Sequence, residues 1–339
     1  MIQSPLNYTG GKFKLLPQML PLFPKNIDRF FDFFCGGCNV GINVDCRETV
    51  FIDRDEHLIY LYQTFQNLEK EAIFDWIYNI IEEYGLSLVS RKGYEFYGCD
   101  SGVGLGDYNR KAFNRLREDF NNCIVVDYRY YVMMYVIIVY AFNNQIRFNS
   151  AGEFNLPVGK RDFNSRIHSK LDAFIDRIHS TSCRFICSDF RRFDTSILAE
   201  NDFVYADPPY LITCATYNEN DGWNERDERD LLNFLDSIHM RGIRFALSNV
   251  LSSKGKKNVI LSAWLERNVE RYNVVHLKHS YANSNYHKAD KTSESDEVLV
   301  VNYDVCRLYP RFCVIRFLSL AFINRSPNPY SPVISCVGL

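Results

Sequence analysis

An α/β fold built on a doubly wound, mainly parallel sheet is what this sequence of 339 residues predicts, and three observations predict it. Short apolar runs of strand length recur along the chain. Each of four such runs delivers a carboxylate at or near its end: Phe30 to Phe34 contains Asp32, Thr49 to Ile52 precedes Asp53, Arg184 to Cys187 precedes Asp189, and Phe203 to Ala206 precedes Asp207. Between them lie stretches with apolar residues at three- and four-residue spacing, the mark of helices that cover a sheet.

Taken in order, Lys14 to Leu22 reads as the first helix. Phe30 to Phe34 is a strand that runs into the turn Cys35-Gly36-Gly37, and Asn39 to Asn43 follows as a helix start, the opening of a nucleotide-type unit. Thr49 to Ile52 is the second strand, Glu56 to Tyr84 a long helical pattern, Asn164 to Ser180 another helix, and Arg184 to Cys187 the third strand. Phe203 to Ala206 is the fourth strand, Glu225 to Arg241 a helix stopped by Gly242, and Arg244 to Leu247 and Glu297 to Tyr303 are further strands. Carboxylates at the same edge of a parallel sheet predict one ligand crevice outside that edge.

From Ser90 to Asp162 the alternation breaks. A glycine-rich stretch, Gly98 to Gly106, leads to a helix, then to an apolar helix through Tyr130 to Phe142, then to polar Asn143 to Asp162. This block reads as an insertion into the sheet topology. Its Arg110, Lys111, Arg115, Arg117, Arg147, Lys160 and Arg161, interleaved with Phe113, Phe142 and Phe148, suit phosphates and bases, and equally suit a solvated surface. The expected organisation is a discontinuous sheet domain of residues 1–89 and 163–303, an inserted unit of 90–162, and an extension of 304–339, in which four arginines face one aspartate and Pro327, Pro329 and Pro332 stand near the end.

Composition narrows the function classes. An apolar content of 47% with 24% charge fits a globular protein, and a net charge of −2 excludes a chain coated in positive charge while leaving room for a local basic groove. The 11 cysteines are scattered, and Met-Ile-Gln-Ser-Pro carries neither a basic start nor an apolar core, so a reducing cytoplasm is the expected home. Cys35 and Cys38 form a C-x-x-C, but no second pair or matched histidines complete a zinc set, and no metal is expected; His276 and His279 read as ordinary surface or core residues. The most lipid-like stretch, Tyr130 to Phe142, is shorter than the roughly 20 residues a bilayer requires.

The tetrad Asp207-Pro208-Pro209-Tyr210 carries the most chemistry. Proline fixes φ at about −65° and removes a backbone N–H, so the strand exit is stiff and offers acceptors only. Asp207 and the Pro208 carbonyl suit the two hydrogens of an exocyclic amine, with Tyr210 stacked on the attached ring. Alone, the same four residues also read as a turn capped by aspartate.

Together with separated blocks in order, the tetrad resembles the D12-class, Dam-like N6-adenine DNA methyltransferases of restriction-modification type, over residues 4 to about 303. The blocks are Pro5 to Lys12 (P-L-N-Y-T-G-G-K), Phe31 to Gly37 (F-D-F-F-C-G-G), Asp53, Asp207 to Tyr210, and Glu297 to Tyr303. The resemblance implies a Rossmann-like doubly wound sheet, S-adenosylmethionine as cofactor, and an inserted, mainly helical target-recognition domain with a DNA-reading hairpin. It implies that Tyr8 packs against the methionine part, that Gly10, Gly11 and Lys12 shape the pocket, and that Asp32, Phe34 and the Gly36-Gly37 turn approach the cofactor backbone. Asp53 would take the ribose hydroxyls, and Asp189 with Phe190 would meet the adenine; Asp207 lies at both cofactor and target. Asp53 and Asp189 also suit helix caps, and Lys12 a solvated helix start. The family's Phe-x-Gly-x-Gly block stands here as Phe34-Cys35-Gly36-Gly37-Cys38, a minor departure; the tail after Tyr303 is a larger one.

Asn143, Asn144, Gln145, Arg147 and Asn149, followed by Gly152 to Lys160 and Arg161, resemble the family's hairpin, in which an arginine at the Arg147 position contacts the guanine beside the target adenine. That implies a site containing 5′-GA in double-stranded DNA, a monomeric enzyme that flips its base, and protection of DNA from a cognate restriction endonuclease. The alternatives are an N4-cytosine methyltransferase, which usually has Ser in place of Asp207, an amide methyltransferase, which usually has Asn there, and a decayed module that binds DNA and cofactor without turnover. Cytosine-C5 chemistry is excluded, since Cys214 has no Pro-Cys setting.

Overall fold

The computed structural model describes residues 1–213, 222–278 and 295–305. Cys214, His279, part of the loop from Leu211 to Trp223 and nearly all of the C-terminal extension lie outside them.

The strands are β1 (Arg29–Phe33), β2 (Glu48–Asp53), β3 (Cys183–Cys187), β4 (Phe203–Ala206), β5 (Arg244–Ser253), β6 (Lys256–Lys257), β7 (Asn273–Leu277) and β8 (Asp296–Val301). They form one sheet in the order β3-β2-β1-β4-β5-β8-β7, with β6 paired to β5. β3, β2, β1, β4 and β5 are parallel, in registers such as Asp32 opposite Phe51 and Tyr205. β8 runs antiparallel between β5 and β7. The chain moves outward from β1 to β2 and β3, then returns to β4 on the other side of β1. The switch point therefore falls between β1 and β4, where open sheets of this kind bind ligands.

The helices are α1 (Leu16–Met19), α2 (Glu56–Asn67), α3 (Lys70–Tyr84), α4 (Val89–Lys92), α5 (Gly106–Asn121), α6 (Tyr128–Tyr140), α7 (Ser165–Ser180), α8 (Glu225–Met240) and α9 (Val259–Arg267). Strand residues point alternately to the two faces. Phe31, Phe33, Val204, Ala206, Phe245 and Leu247 pack under α8 and α9 through Leu231, Leu235, Leu261 and Trp264. On the other face, Phe51 and Phe185 meet α2 and α7, while Phe30, Phe203 and Tyr205 meet the N-terminal segment through Leu16, Met19 and Phe23. The result is a three-layer α/β sandwich, as expected.

Several expectations need correction. The first helix breaks into short pieces, because Pro17 and Pro21 each begin a new turn. After β1 only a 3₁₀ turn, Gly41–Asn43, forms; Val44 is already extended so that the chain can enter β2. The long pattern from Glu56 to Tyr84 is two helices, because Leu68 and Glu69 are extended between them, and Gly85 closes the second in the left-handed region. β5 continues to Ser253, and α9 and β7 stand in addition to the expected elements, with Ile260, Leu261, Trp264 and Leu265 of α9 at three- and four-residue spacing. The caps are where polar side chains permit them: Asp55, Asn164 and Asn224 accept from backbone N–H groups at the starts of α2, α7 and α8.

The block from 90 to 162 contains α5 and α6. Phe113, Leu116, Val136 and Tyr140 share one core with Ile77 and Ile80 of α3 and Phe65 of α2. Its packing is thus continuous with the helical layer of the sheet. No helix among the described residues is long and apolar enough to cross a membrane.

Candidate active site

The exit of β1 is a tight, dry turn. Phe34, Gly36 and Cys38 have φ of 60°, 45° and 57°. The Gly36 N–H donates to Asp53 Oδ2 at 3.0 Å, and Tyr62 donates its hydroxyl to the Gly36 carbonyl at 2.8 Å. A Cβ on Gly36 would stand 2.5 Å from Cε1 of Tyr8, so glycine is required by contact as well as by φ. Gly37 meets Cβ of Tyr8 and Oγ of Ser4 in the same way, at 3.1 and 3.0 Å. Gly10 has φ of 81°, and the Gly11 N–H donates to the Tyr8 carbonyl at 3.3 Å, which turns the chain toward Lys12. Tyr8, Gly10, Gly11, Gly36 and Gly37 therefore form one cradle, and Tyr8 keeps an exposed edge.

Two buried carboxylates line this cradle. Asp53, at the end of β2, also accepts from the Asp55 N–H at 3.0 Å, and burial pushes its carboxyl above the usual range. Asp32 is 2% exposed and accepts from the Gly41 N–H at 2.9 Å. Burial, opposed by that hydrogen bond, raises it to about 8, with the charges of Asp207 and Asp53 adding to the rise. A Cβ at Gly41 would lie 2.7 Å from Asp32 Oδ2, so the turn closes over the carboxylate.

Beside the cradle lies a small cavity lined by Phe34, Asp53, Ser188, Asp189, Phe190 and Trp223. The Phe34 ring stands 5.5 Å from both Phe190, tilted, and Trp223, edge to face, so the three rings form an aromatic cluster on the cavity wall with Asp53 and Asp189 beside it. Asp189 caps the Phe190–Arg192 turn and pairs with Arg191, which also reaches Asp227 and Asp230 of α8. Trp223 is set by a donation of 2.7 Å to Glu228, a fully buried carboxylate that also accepts from Asn249 and Asn258. A Cβ at Gly36 or Gly37 would fill the cradle against Tyr8, and the neighbouring cavity carries aromatic rings with Asp53 and Asp189 on its wall, a set of groups whose chemistry suits an adenosine with a polar tail. The residues expected to hold S-adenosylmethionine, Asp207 apart, thus lie together, although they come from four separate segments, 8–12, 32–37, 53 and 189–190.

The tetrad stands across the switch point. The Asp207 N–H donates to the Phe33 carbonyl at 3.3 Å, which fixes the strand exit against β1. Pro208 is buried and Pro209 exposed. Lys12 is 4% exposed; its Nζ donates to the Gly10 carbonyl at 2.8 Å and lies 2.9 Å from Asp207 Oδ1, 3.5 Å from Glu297 Oε1 and 4.8 Å from the centre of the Tyr210 ring. The Tyr210 hydroxyl is 3.1 Å from Asp207 Oδ1 and 3.0 Å from Glu297 Oε1. Burial raises the Asp207 carboxyl, and the Lys12 charge opposes that rise. Lys12 thus meets the tetrad as well as the glycine cradle it was expected to shape.

The expected DNA-reading residues form a hairpin. Phe148 and Phe154 bridge antiparallel, as do Ala141 and Val158, and the Asn155 N–H donates to the Arg147 carbonyl at 3.2 Å. Arg147 is exposed, its Nε 2.7 Å from Asn155 Oδ1. Asn149 closes the tip, accepting from Ala151 and Glu153 N–H groups. Asn143 and Asn144 both have positive φ; the Asn143 carbonyl accepts from Asn7, and the Asn144 side chain donates to the Val139 carbonyl. Gln145 is half-buried. Lys160 and Arg161 lie at the other end of the block, where the Lys160 carbonyl accepts from Leu105 and Arg161 approaches Ser101 and Tyr94. Phe148 stacks on His57 of α2 at 4.0 Å, close in sequence to Asp53.

Sequence reasoning missed Glu297 and the pair Trp223–Glu228 as site residues. Glu297 had a signal, a carboxylate that follows Asp296 into the apolar run Val298 to Val301. Trp223 had only its position beside the Asn224 cap.

The family model of D12 class N6 adenine-specific DNA methyltransferases matches residues 8–283. The chain is 39% identical over 308 residues to the Type II methyltransferase M.FokI of Planomicrobium okeanokoites, covering 89% of this chain and 43% of that protein. It is 39% identical over 311 residues to the modification methylase StsI of Streptococcus sanguinis, with the same shares of 89% and 43%. It is also 26% identical to the Type II methyltransferase M.MjaIII of Methanocaldococcus jannaschii, over 72% of this chain and 83% of that one. The chain thus spans less than half the length of the first two relatives.

Proposed function

The chain belongs to the D12 class N6 adenine-specific DNA methyltransferases, and from that premise we propose that it methylates N6 of an adenine flipped out of duplex DNA, at a short site containing 5′-GA. Protection of DNA from a cognate restriction endonuclease is the role that follows, in keeping with relatives named as modification methylases. A monomer in a cytoplasmic setting is the form this reading assigns to an enzyme acting on DNA.

The observation that carries this reading is a carboxylate at the switch point, Asp207, held 2.9 Å from a buried lysine. The lone pair of an adenine N6 is delocalised into its ring, so the amine is a poor nucleophile until its hydrogens are drawn out of plane. Asp207 and the Pro208 carbonyl accept those hydrogens, and Lys12 keeps Asp207 ionised for the purpose. Tyr210 supplies the flat surface on which the extruded base stacks, which offsets part of the few kcal/mol that flipping costs. S-adenosylmethionine, when bound, supplies an electrophilic methyl group on its sulfonium. Asp53 would hold its ribose, Phe34 and Phe190 its base with Asp189 at the rim, and the cradle of Tyr8 and the glycines its methionine part.

The test is transfer of labelled methyl to unmethylated plasmid, followed by nucleoside analysis and mapping of modified sites. N6-methyladenine at one short motif is expected. Asp207→Ala should lose at least about a hundredfold in rate, the scale of removing one oriented polar group. N4-methylcytosine in the digest, or an Asp207→Ala variant that keeps its rate, would sink the proposal.

A further inference from the structure

We infer that Glu297 is the terminal acceptor of the proton that leaves the substrate amine, reached from Asp207 through the hydroxyl of Tyr210. This rests on the proposed methyl transfer and deepens it.

Three observations carry the inference. Tyr210 oxygen lies within hydrogen-bond distance of both carboxylates, 3.1 Å from Asp207 and 3.0 Å from Glu297. The one phenolic hydrogen can point to either carboxylate, so the hydroxyl can give its proton to one while its oxygen accepts from the other. Second, Glu297 is 4% exposed at the start of β8. A buried carboxylate there costs free energy unless it has partners, and among the described residues its side-chain partners are Lys12 and Tyr210. Third, Lys12 lies nearer Asp207 than Glu297, at 2.9 against 3.5 Å. A proton resting on Glu297 leaves the shorter ion pair intact, whereas one resting on Asp207 breaks it. Among the described residues, the other titratable groups that face the cluster are Asp32 and Tyr205; burial raises the pKa of both, and the neighbouring carboxylates add to the rise.

The step balances as follows. As the N6–carbon bond forms and the sulfonium–methyl bond breaks, N6 becomes cationic. Its N–H bond then breaks, the electron pair stays on nitrogen, and the proton bonds to an Asp207 oxygen. Asp207 passes a proton to the Tyr210 oxygen while the original phenolic proton bonds to Glu297 Oε1. The phenol ends neutral, Asp207 ends ionised beside Lys12, and Glu297 ends protonated.

The test is a double-mutant cycle on the single-turnover rate across pH, using unmethylated duplex and S-adenosylmethionine, with Glu297→Gln, Tyr210→Phe and the double variant. Binding of S-adenosylhomocysteine and thermal melting are measured alongside. Glu297→Gln keeps the shape and an acceptor for the phenol but takes no proton; Tyr210→Phe keeps the stacking ring but removes the link. Each is expected to slow chemistry by about ten- to a hundredfold at neutral pH, at the low end of the range for a lost acid–base group. Each should leave S-adenosylhomocysteine affinity unchanged and recover as pH rises. The double variant should be no slower than the slower single one, because one path is broken twice. A Glu297→Gln enzyme with the wild-type rate and pH profile, or losses that multiply in the double variant, would overturn the relay. If Glu297→Gln does not fold, Tyr210→Phe decides alone, and absence of recovery at high pH counts against the relay. Wild-type protein that transfers no methyl group would instead remove the reading on which the relay rests.

Discussion

Replacing Lys12 with methionine should move the pH dependence of methyl transfer more than its maximum. Lys12 is 4% exposed and its ammonium stands 2.9 Å from Asp207 Oδ1. At an effective dielectric of about 20, unit charges at that distance attract by roughly 6 kcal/mol. The Asp207 side chain retains 18% exposure, so water recovers part of this when the lysine is lost. A net loss of about 2–3 kcal/mol remains, and it raises the Asp207 carboxyl further. The rise adds to one already caused by burial. Because the ionised carboxylate accepts the amine hydrogens, activity falls as pH drops through its pKa, and Lys12→Met should shift that acid limb to higher pH. Stability follows the same sign. A carboxyl whose folded pKa lies above its unfolded value contributes stability that is present at low pH and is lost as pH rises through the folded value. The variant should therefore be destabilised more at about pH 9 than at about pH 6, by up to the 3–5 kcal/mol that breaking a buried pair costs. Single-turnover rates and urea midpoints across pH measure both. A folded variant whose acid limb stays at the wild-type position would refute the role given to Lys12.

Other outcomes follow from the same geometry. Gly36→Ala forces a Cβ to 2.5 Å from the Tyr8 ring at φ of 45°; it should cost about 1–2 kcal/mol in stability from backbone strain, and calorimetry should show clearly weaker S-adenosylhomocysteine binding. Unchanged affinity would remove the glycine turn from the cofactor site. Asp32 is held up to about 8 chiefly by burial. Its contribution to stability is thus full below its unfolded value and lost as pH rises toward 8, and Asp32→Asn should flatten denaturation midpoints over that window. Arg147→Ala should lower transfer at a GA site by about 1–3 kcal/mol of discrimination and make the enzyme indifferent to replacement of that guanine. Equal rates for wild-type protein on both oligonucleotides would exclude the guanine contact.

Much of the candidate site is legible in the sequence because its groups sit at strand ends, where alternation stops and a polar residue is conspicuous. Asp53, Asp189 and Asp207 each follow an apolar run, and local chemistry marks them without knowledge of neighbours. Asn164 and Asn224 announce helix starts for the same reason. The sequence by itself therefore determined the α/β class, the parallel run from β1 to β4 and the edge on which the chemistry lies. Strand order, the antiparallel entry of β8 between β5 and β7, and the fusion of the inserted block with the helical layer depend on which apolar faces find each other, and periodicity does not encode partners. Glu297 shows the difference most plainly. In the chain it is one carboxylate at the head of an apolar strand; in the fold, β8 carries it to Lys12 from the N-terminus and Tyr210 from the tetrad. Only tertiary packing makes those three a cluster, because burial and proximity, rather than residue type, decide where its proton and its charge reside.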